Sequence, residues 1–126
     1  MTNTYESLSW EEHNFVEIEG GVKIAHATVT YRYTGQLEGE SRAQGLLTYR
    51  PDGTGTFVST EYFTGAVDGR KGTVVLQHAG DFDAEHITSR FHVEPGTGGG
   101  DLVGLTGSGE FDMKMGTPSV EYTFTP

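Results

Sequence analysis

Apolar and polar residues alternate along most of this chain, and glycine-rich or Asp-Gly turns interrupt the alternation at short intervals. Alternation with a period of two is typical of strands with one buried face, and no long stretch shows the 3.6-residue period of a helix. The pattern therefore predicts an all-β protein. The predicted strands are 4–15, 22–35, 37–49, 56–65, 70–82, 87–94, 102–114 and 119–125.

The turns also predict how neighbouring strands pair. We expect a two-residue Asp68-Gly69 turn, a four-residue loop over 83–86 and a five-residue loop over 51–55. Directly opposed residues share a face, and a one-residue slip would turn every apolar side chain outward. The three loops place one apolar set together on the inner face: Leu47, Tyr49, Phe57, Phe63, Val74, Leu76, Phe82, Ile87, Phe91 and Val93.

A continuous meander of eight antiparallel strands removes its exposed edges by closing into a barrel. A sandwich of two sheets is the alternative architecture. The length of 126 residues favours one domain over 1–126. Four small residues are predicted to point inward and leave room in the interior: Ala43, Gly45, Gly107 and Gly109.

The predicted register places two titratable side chains on the inner face. Glu61 is opposite Leu76 and diagonal to His78, a separation of about 7 Å that long side chains can close. Burial raises the pKa of a carboxyl group and lowers that of a histidine, while pairing acts in the opposite direction on both. Glu61 and His78 are therefore candidate acid and base residues for proton transfer on an apolar substrate.

A purely structural interpretation competes with this one and is the more common situation in proteins. Buried polar groups need hydrogen-bond partners whether or not they take part in chemistry, so Glu61 and His78 could simply satisfy each other in a closed core. Other inward-facing residues are candidate contacts for a ligand in the interior: Tyr49, Phe57, Ser59, Phe63, Leu76, Ser89, Phe91 and Tyr122.

Composition excludes several classes of partner and chemistry. Eighteen acidic against eight basic residues give a formal net charge of −10, which repels nucleic acid and anionic membranes. The chain has no cysteine, and its histidines and acids lack the spacing of a metal site, so we expect neither a metal nor another cofactor. We find no nucleophile triad. The start of the chain lacks a signal peptide and no apolar run could span a bilayer, which predicts a cytoplasmic protein.

Four stretches carry a family resemblance: 33–41, 49–61, 69–82 and 95–111, with "VLQHAGDF" and "GGGDLVGLTGSGEF" the most specific. The chain resembles a family of small bacterial proteins known as a domain of unknown function, with an allene-oxide-cyclase-like barrel. The resemblance implies an eight-stranded antiparallel barrel, covers Glu38, Glu61, Gln77 and His78, and transfers no catalytic role to them. Phe91 stands where this family commonly has tryptophan.

Three functions remain open from the sequence. The first is a barrel that binds a small apolar or amphipathic molecule in its interior, oriented by Glu61 and His78. The second is a cofactor-independent isomerase or cyclase that uses the same pair as acid and base. The third is a filled barrel that acts through its surface or as a homodimer, since Val58, Tyr62 and Val75 point outward.

Overall fold

The structure, a computed structural model, describes residues 2–114, 116–117 and 119–126. The described chain contains these strands: β1 (Thr4–Ile18), β2 (Val22–Thr34), β3 (Leu37–Tyr49), β4 (Gly55–Val67), β5 (Arg70–Phe82), β6 (His86–Val93), β7 (Gly99–Gly100), β8 (Ser108–Lys114) and β9 (Val120–Thr125). Every pairing between them is antiparallel. No helix long and apolar enough to cross a membrane occurs in this described part.

Eight of the strands close into a ring. Their order is β4, β3, β2, β1, β9, β8, β6 and β5, and β5 pairs again with β4. Strand β7 adds to β5 beyond the end of β6. The predicted all-β antiparallel meander is therefore confirmed, and the β4–β5 pairing closes it into a ring.

Two of the three predicted hairpins are correct. Asp68 and Gly69 both have positive φ, 50° and 82°, as a type I′ turn requires. This turn pairs Glu61 with Leu76 and Ser59 with His78. The loop over 83–86 also has the predicted register, because the Asp83 carboxylate accepts hydrogen bonds from the backbone N–H groups of the two residues before Ile87.

The predicted register of the third hairpin is wrong by two residues. Its loop covers 50–54, so Tyr49 pairs with Gly55 and Gly45 pairs with Ser59. The Asp52 carboxylate accepts hydrogen bonds from the backbone N–H and the hydroxyl of Thr54, which closes the turn one residue earlier on each side. A shift of two residues keeps the same side chains facing inward, so the predicted apolar face survives the error.

The predicted strand over 102–114 is also partly wrong. Residues 101–104 form turns, and the strand begins only at Ser108. The apolar residues Leu102 and Leu105 contributed to the predicted strand. They are three residues apart, however, and both are buried in the packed core. Their burial satisfies the apolar pattern without any sheet pairing.

The ring has two different halves. One half is packed by fourteen buried side chains, including Leu37, Val67 and Leu102, near the turns that join β2 to β3 and β4 to β5. The other half holds small or half-buried residues such as Ala27, Ala43 and Tyr49. The second half is therefore where the ring has room for a cavity.

Glycines opposite phenylalanines allow the rings to lie flat across neighbouring strands. A Cβ on Gly109 would lie 2.4 Å from the Phe91 ring, and a Cβ on Gly107 would lie 2.6 Å from the Phe124 ring. Gly107 and Gly109 were predicted to leave space in the interior. They instead provide the space that these phenylalanine rings fill.

Strand β1 pairs with β9 only at Thr4 and Tyr5, although it extends to Ile18. Among the described residues, the rest of this edge of β1 has no sheet partner. Leu8 and Phe15 are extra residues at two irregularities in the pairing with β2. On the outer surface, Val58 and Tyr62 are exposed as predicted, while the homodimer itself stays a prediction.

The close packing of Gly109 gives a first test. We expect Gly109→Ala to lower the free energy of unfolding by about 2 to 3 kcal/mol, because its Cβ would lie 2.0 Å from the backbone oxygen of Thr123. Urea unfolding followed by circular dichroism measures the change. Gly45→Ala is the matched control, since its Cβ would meet the Ser59 Cβ at 3.2 Å, and equal losses for both variants would contradict the packing argument.

Candidate functional site

Glu61 lies at the centre of the ring, where the packed half meets the open half, and has no exposed surface. The Tyr33 hydroxyl donates a hydrogen bond of 2.6 Å to Glu61 Oε2. His78 Nε2 lies 2.8 Å from Glu61 Oε1, but the ring N–H is not aligned with that oxygen. The buried Ser41 hydroxyl is nearby and has no hydrogen-bond partner in the described chain. The predicted proximity of Glu61 and His78 is therefore present in the structure.

His78 is held from three sides. Its Nδ1 is 3.2 Å from the Ser89 hydroxyl, and its ring lies 5.1 Å from the Phe91 ring at an interplanar angle of 30°. Together with the Glu61 contact, these neighbours fix the orientation of the imidazole. Only 6% of the His78 side chain is exposed.

Ser89, His78 and Glu61 form a row that resembles a nucleophile triad, an arrangement not found in the sequence analysis. Ser89 has no exposed surface and does not border the cavity described below. A nucleophilic hydroxyl must reach the carbon that it attacks. Ser89 therefore supports the imidazole and does not face a substrate.

The electrostatics of the group follow from its burial. Burial is the largest single influence and raises the pKa of the Glu61 carboxyl. Its pKa nevertheless lies below the usual value, because the positive charge of His78 and the nearby donors, including the Tyr33 hydroxyl, together outweigh burial. Burial, followed by the negative charge of Glu61, raises the pKa of Tyr33 well above its usual value. Tyr33 thus remains a donor to an ionised Glu61.

A cavity of about 490 Å³ adjoins this polar group in the open half of the ring. The exposed loop residues Gly53, Asp83 and Ala84 border it, so it opens between the two hairpin loops at that end. Aromatic side chains from several strands form much of its wall: Tyr5, Trp10, Tyr31, Tyr33, Tyr49, Phe57, Phe82 and Phe111.

The sequence-predicted site residues divide between the two halves. Glu61, His78, Tyr49, Phe57 and Ser59 border the cavity. The other predicted ligand contacts are packed in the ring and do not border it: Phe63, Leu76, Ser89, Phe91 and Tyr122. Tyr122 has a structural task instead, since its hydroxyl accepts a hydrogen bond from the backbone N–H of Leu37.

The sequence analysis did not identify Tyr33 and Ser41 as neighbours of Glu61, or Trp10 and Glu12 as cavity residues. The alternation in 22–35 predicts that the Tyr33 side chain faces inward. No local turn signal, however, places Tyr33 close to Glu61. Trp10 and Glu12 lie on β1 after the irregularity at Leu8, which changes the residues that face inward.

The buried carboxylate gives a second test, through pH. Because the pKa of Glu61 is lowered in the folded state, its ionisation stabilises the protein above the usual carboxyl pKa of 4.5. That stability is lost as the pH falls through the lowered value. We expect Glu61→Gln to cost about 3 kcal/mol at pH 7, and the difference from the native protein to shrink toward pH 3.

Urea unfolding at a series of pH values measures this difference. Glu38→Gln is the control, because Glu38 is an exposed residue of the neighbouring strand, and its pH profile should match that of the native protein. Parallel loss of stability in Glu61→Gln and the native protein would contradict an ionised, stabilising Glu61.

Comparisons with known proteins agree with the sheet architecture. The structure of a protein of unknown function from the DUF3224 family of Shewanella oneidensis MR-1 superposes with a TM-score of 0.75 and 26% sequence identity, covering 99% of this chain and 97% of that chain. The search of curated proteins finds no match. The sequence model of DUF3224, a family of proteins of unknown function, matches residues 1–125. The chain therefore belongs to the DUF3224 family.

Proposed function

We propose that this protein binds a small apolar or amphipathic molecule inside the ring. The observation that carries the proposal is the cavity of about 490 Å³, which is open at one end and has a largely aromatic wall. Ligand sites in proteins are concave, mostly apolar and contain a few polar groups that orient the ligand. Here those polar groups are Glu61 and His78 at the inner end of the cavity.

The small side chains of the wall support the same proposal. Ala27 and Ala43 are buried yet border the cavity, and Gly45 lies beside them in the pairing of β2 with β3. Larger apolar residues at these positions would fill the space at no cost in hydrophobicity. A filled core is the usual outcome in proteins, so the persistent space favours a ligand over a purely structural ring.

Acid–base catalysis by Glu61 and His78 is the second candidate function. The 2.8 Å contact between Glu61 Oε1 and His78 Nε2 favours it, because the two groups share a site suited to a proton. Glu61 has no exposed surface, however, and only 6% of the His78 side chain is exposed. Binding therefore requires less rearrangement of the site than proton transfer to a substrate, and it is the function that we favour.

The allene-oxide-cyclase type of barrel belongs to this proposal as well. The ring of eight antiparallel strands in meander order supports it. A shared fold does not transfer a reaction, so this part of the proposal concerns the shape of the binding chamber and no cyclase activity.

Filling the cavity tests the proposal. We expect the neutral dye Nile red to bind the native protein with a fluorescence increase, and Ala27→Phe to weaken that binding by about tenfold or more, because the added ring occupies the cavity. Thr28→Phe is the matched control, since Thr28 is the neighbouring residue on the opposite face of β2.

Circular dichroism and thermal unfolding identify variants that keep the fold, and Ala27→Leu is a smaller replacement for the same purpose. Native mass spectrometry of protein purified from a bacterial host gives an independent measurement. Absence of binding by Nile red, together with absence of any copurified small molecule, would overturn the proposal.

A further inference from the structure

A carboxylate held between two aromatic rings lies on the cavity wall, away from Glu61. The Trp10 indole N–H donates a hydrogen bond of 3.1 Å to Glu12 Oε1. The Tyr49 hydroxyl donates one of 2.6 Å to Glu12 Oε2. All three residues border the cavity. The two donors fix the carboxylate in place, while each of its oxygens keeps acceptor capacity for another group.

Carboxylates outnumber basic side chains on the cavity wall. Glu12, Glu61 and Asp83 border the cavity, and no lysine or arginine is among its described lining residues. His78 lies 2.8 Å from Glu61 and is the basic partner of that carboxylate alone. Glu12 has no cation within ion-pair distance in the described chain. A negative potential inside a low-dielectric chamber attracts cations and repels carboxylates.

The aromatic wall offers the second element of cation recognition. The faces of tryptophan and tyrosine attract ammonium groups through their ring quadrupoles. Tyr49 already makes one such contact: Nζ of Lys23, a residue outside the cavity lining, lies 4.6 Å from the centre of its ring. The Tyr49 ring in turn packs edge-on against Phe82 at 5.0 Å, which holds it in position.

We propose that the ligand is an ammonium amphiphile: its cationic head group binds at Glu12 between Trp10 and Tyr49, and its apolar tail lies in the aromatic chamber. This inference rests on the proposed binding function and adds the chemical class of the ligand. A fatty acid of the same length is disfavoured, because its carboxylate would meet Glu12, Glu61 and Asp83, and none of the described lining residues is a lysine or arginine.

Three probes with one common tail test the ligand class: octyltrimethylammonium, octanol and octanoate, each below its micelle-forming concentration. Displacement of Nile red gives their relative affinities. We expect octyltrimethylammonium to bind about tenfold more tightly than octanol, through cation–π and charge attraction, and octanoate to bind more weakly than octanol.

Two variants test the assignment to Glu12. Glu12→Gln removes the charge and should reduce the preference for ammonium over octanol to about twofold or less. Glu11→Gln is the matched control, because Glu11 is an exposed residue next to Glu12 on β1, and it should keep the native preference.

Each outcome separates the two proposals. If neither octanol nor Nile red binds the native protein, the binding function itself fails. If octanol binds and octanoate binds as tightly as octyltrimethylammonium or more tightly, the ammonium class is overturned while the binding function stands. If Glu12→Gln keeps the full ammonium preference, the assignment of the head group to Glu12 is overturned.

Discussion

The burial of one carboxylate is the constraint on which the arrangement of this ring depends. An ionised Glu61 without solvent would be very unfavourable unless donors surrounded it. The polar neighbours of Glu61 come from different strands: Tyr33 from β2, Ser41 from β3 and His78 from β5. Ser89 of β6 lies behind His78. A slip in any of these strand pairings would move the carboxylate away from at least one of these neighbours. The polar group therefore specifies the register that the apolar face alone would allow to shift by two residues.

The same group lies between two differently packed parts of the ring. On one side, leucine, valine and aromatic side chains form one buried apolar cluster. On the other side, alanines and a glycine face aromatic rings across an open chamber. The packed cluster and the cavity thus lie at different ends of the same strands, so the cavity can exist without weakening the packed end. Function has to be argued from the chamber itself, because the superposed family member is also a protein of unknown function.

The sequence predicted those parts of the molecule that local turn chemistry determines. Asp68-Gly69 and Asp83 act within their own loops, and the pairing of Glu61 with Leu76 followed from the first of them. The Asp52 turn was misplaced because the choice between two five-residue loops depends on a hydrogen bond from Thr54. The roles of Tyr33 and Trp10 depend on pairings of β1 and β2 that include irregularities. No local signal marks which inward residues border a cavity, since that depends on the whole ring.

The short contact between β1 and β9 has a consequence for solubility. A long strand with a free edge is a template on which other chains can add, and such edges lead to aggregation unless they are protected. Strand β1 carries Glu6, Glu11, Glu12 and Glu17, and irregularities at Leu8 and Phe15 break its flat edge. Several of the acidic residues of this protein therefore lie along the strand to which further copies could otherwise add. Their like charges oppose the addition of a second copy at that edge.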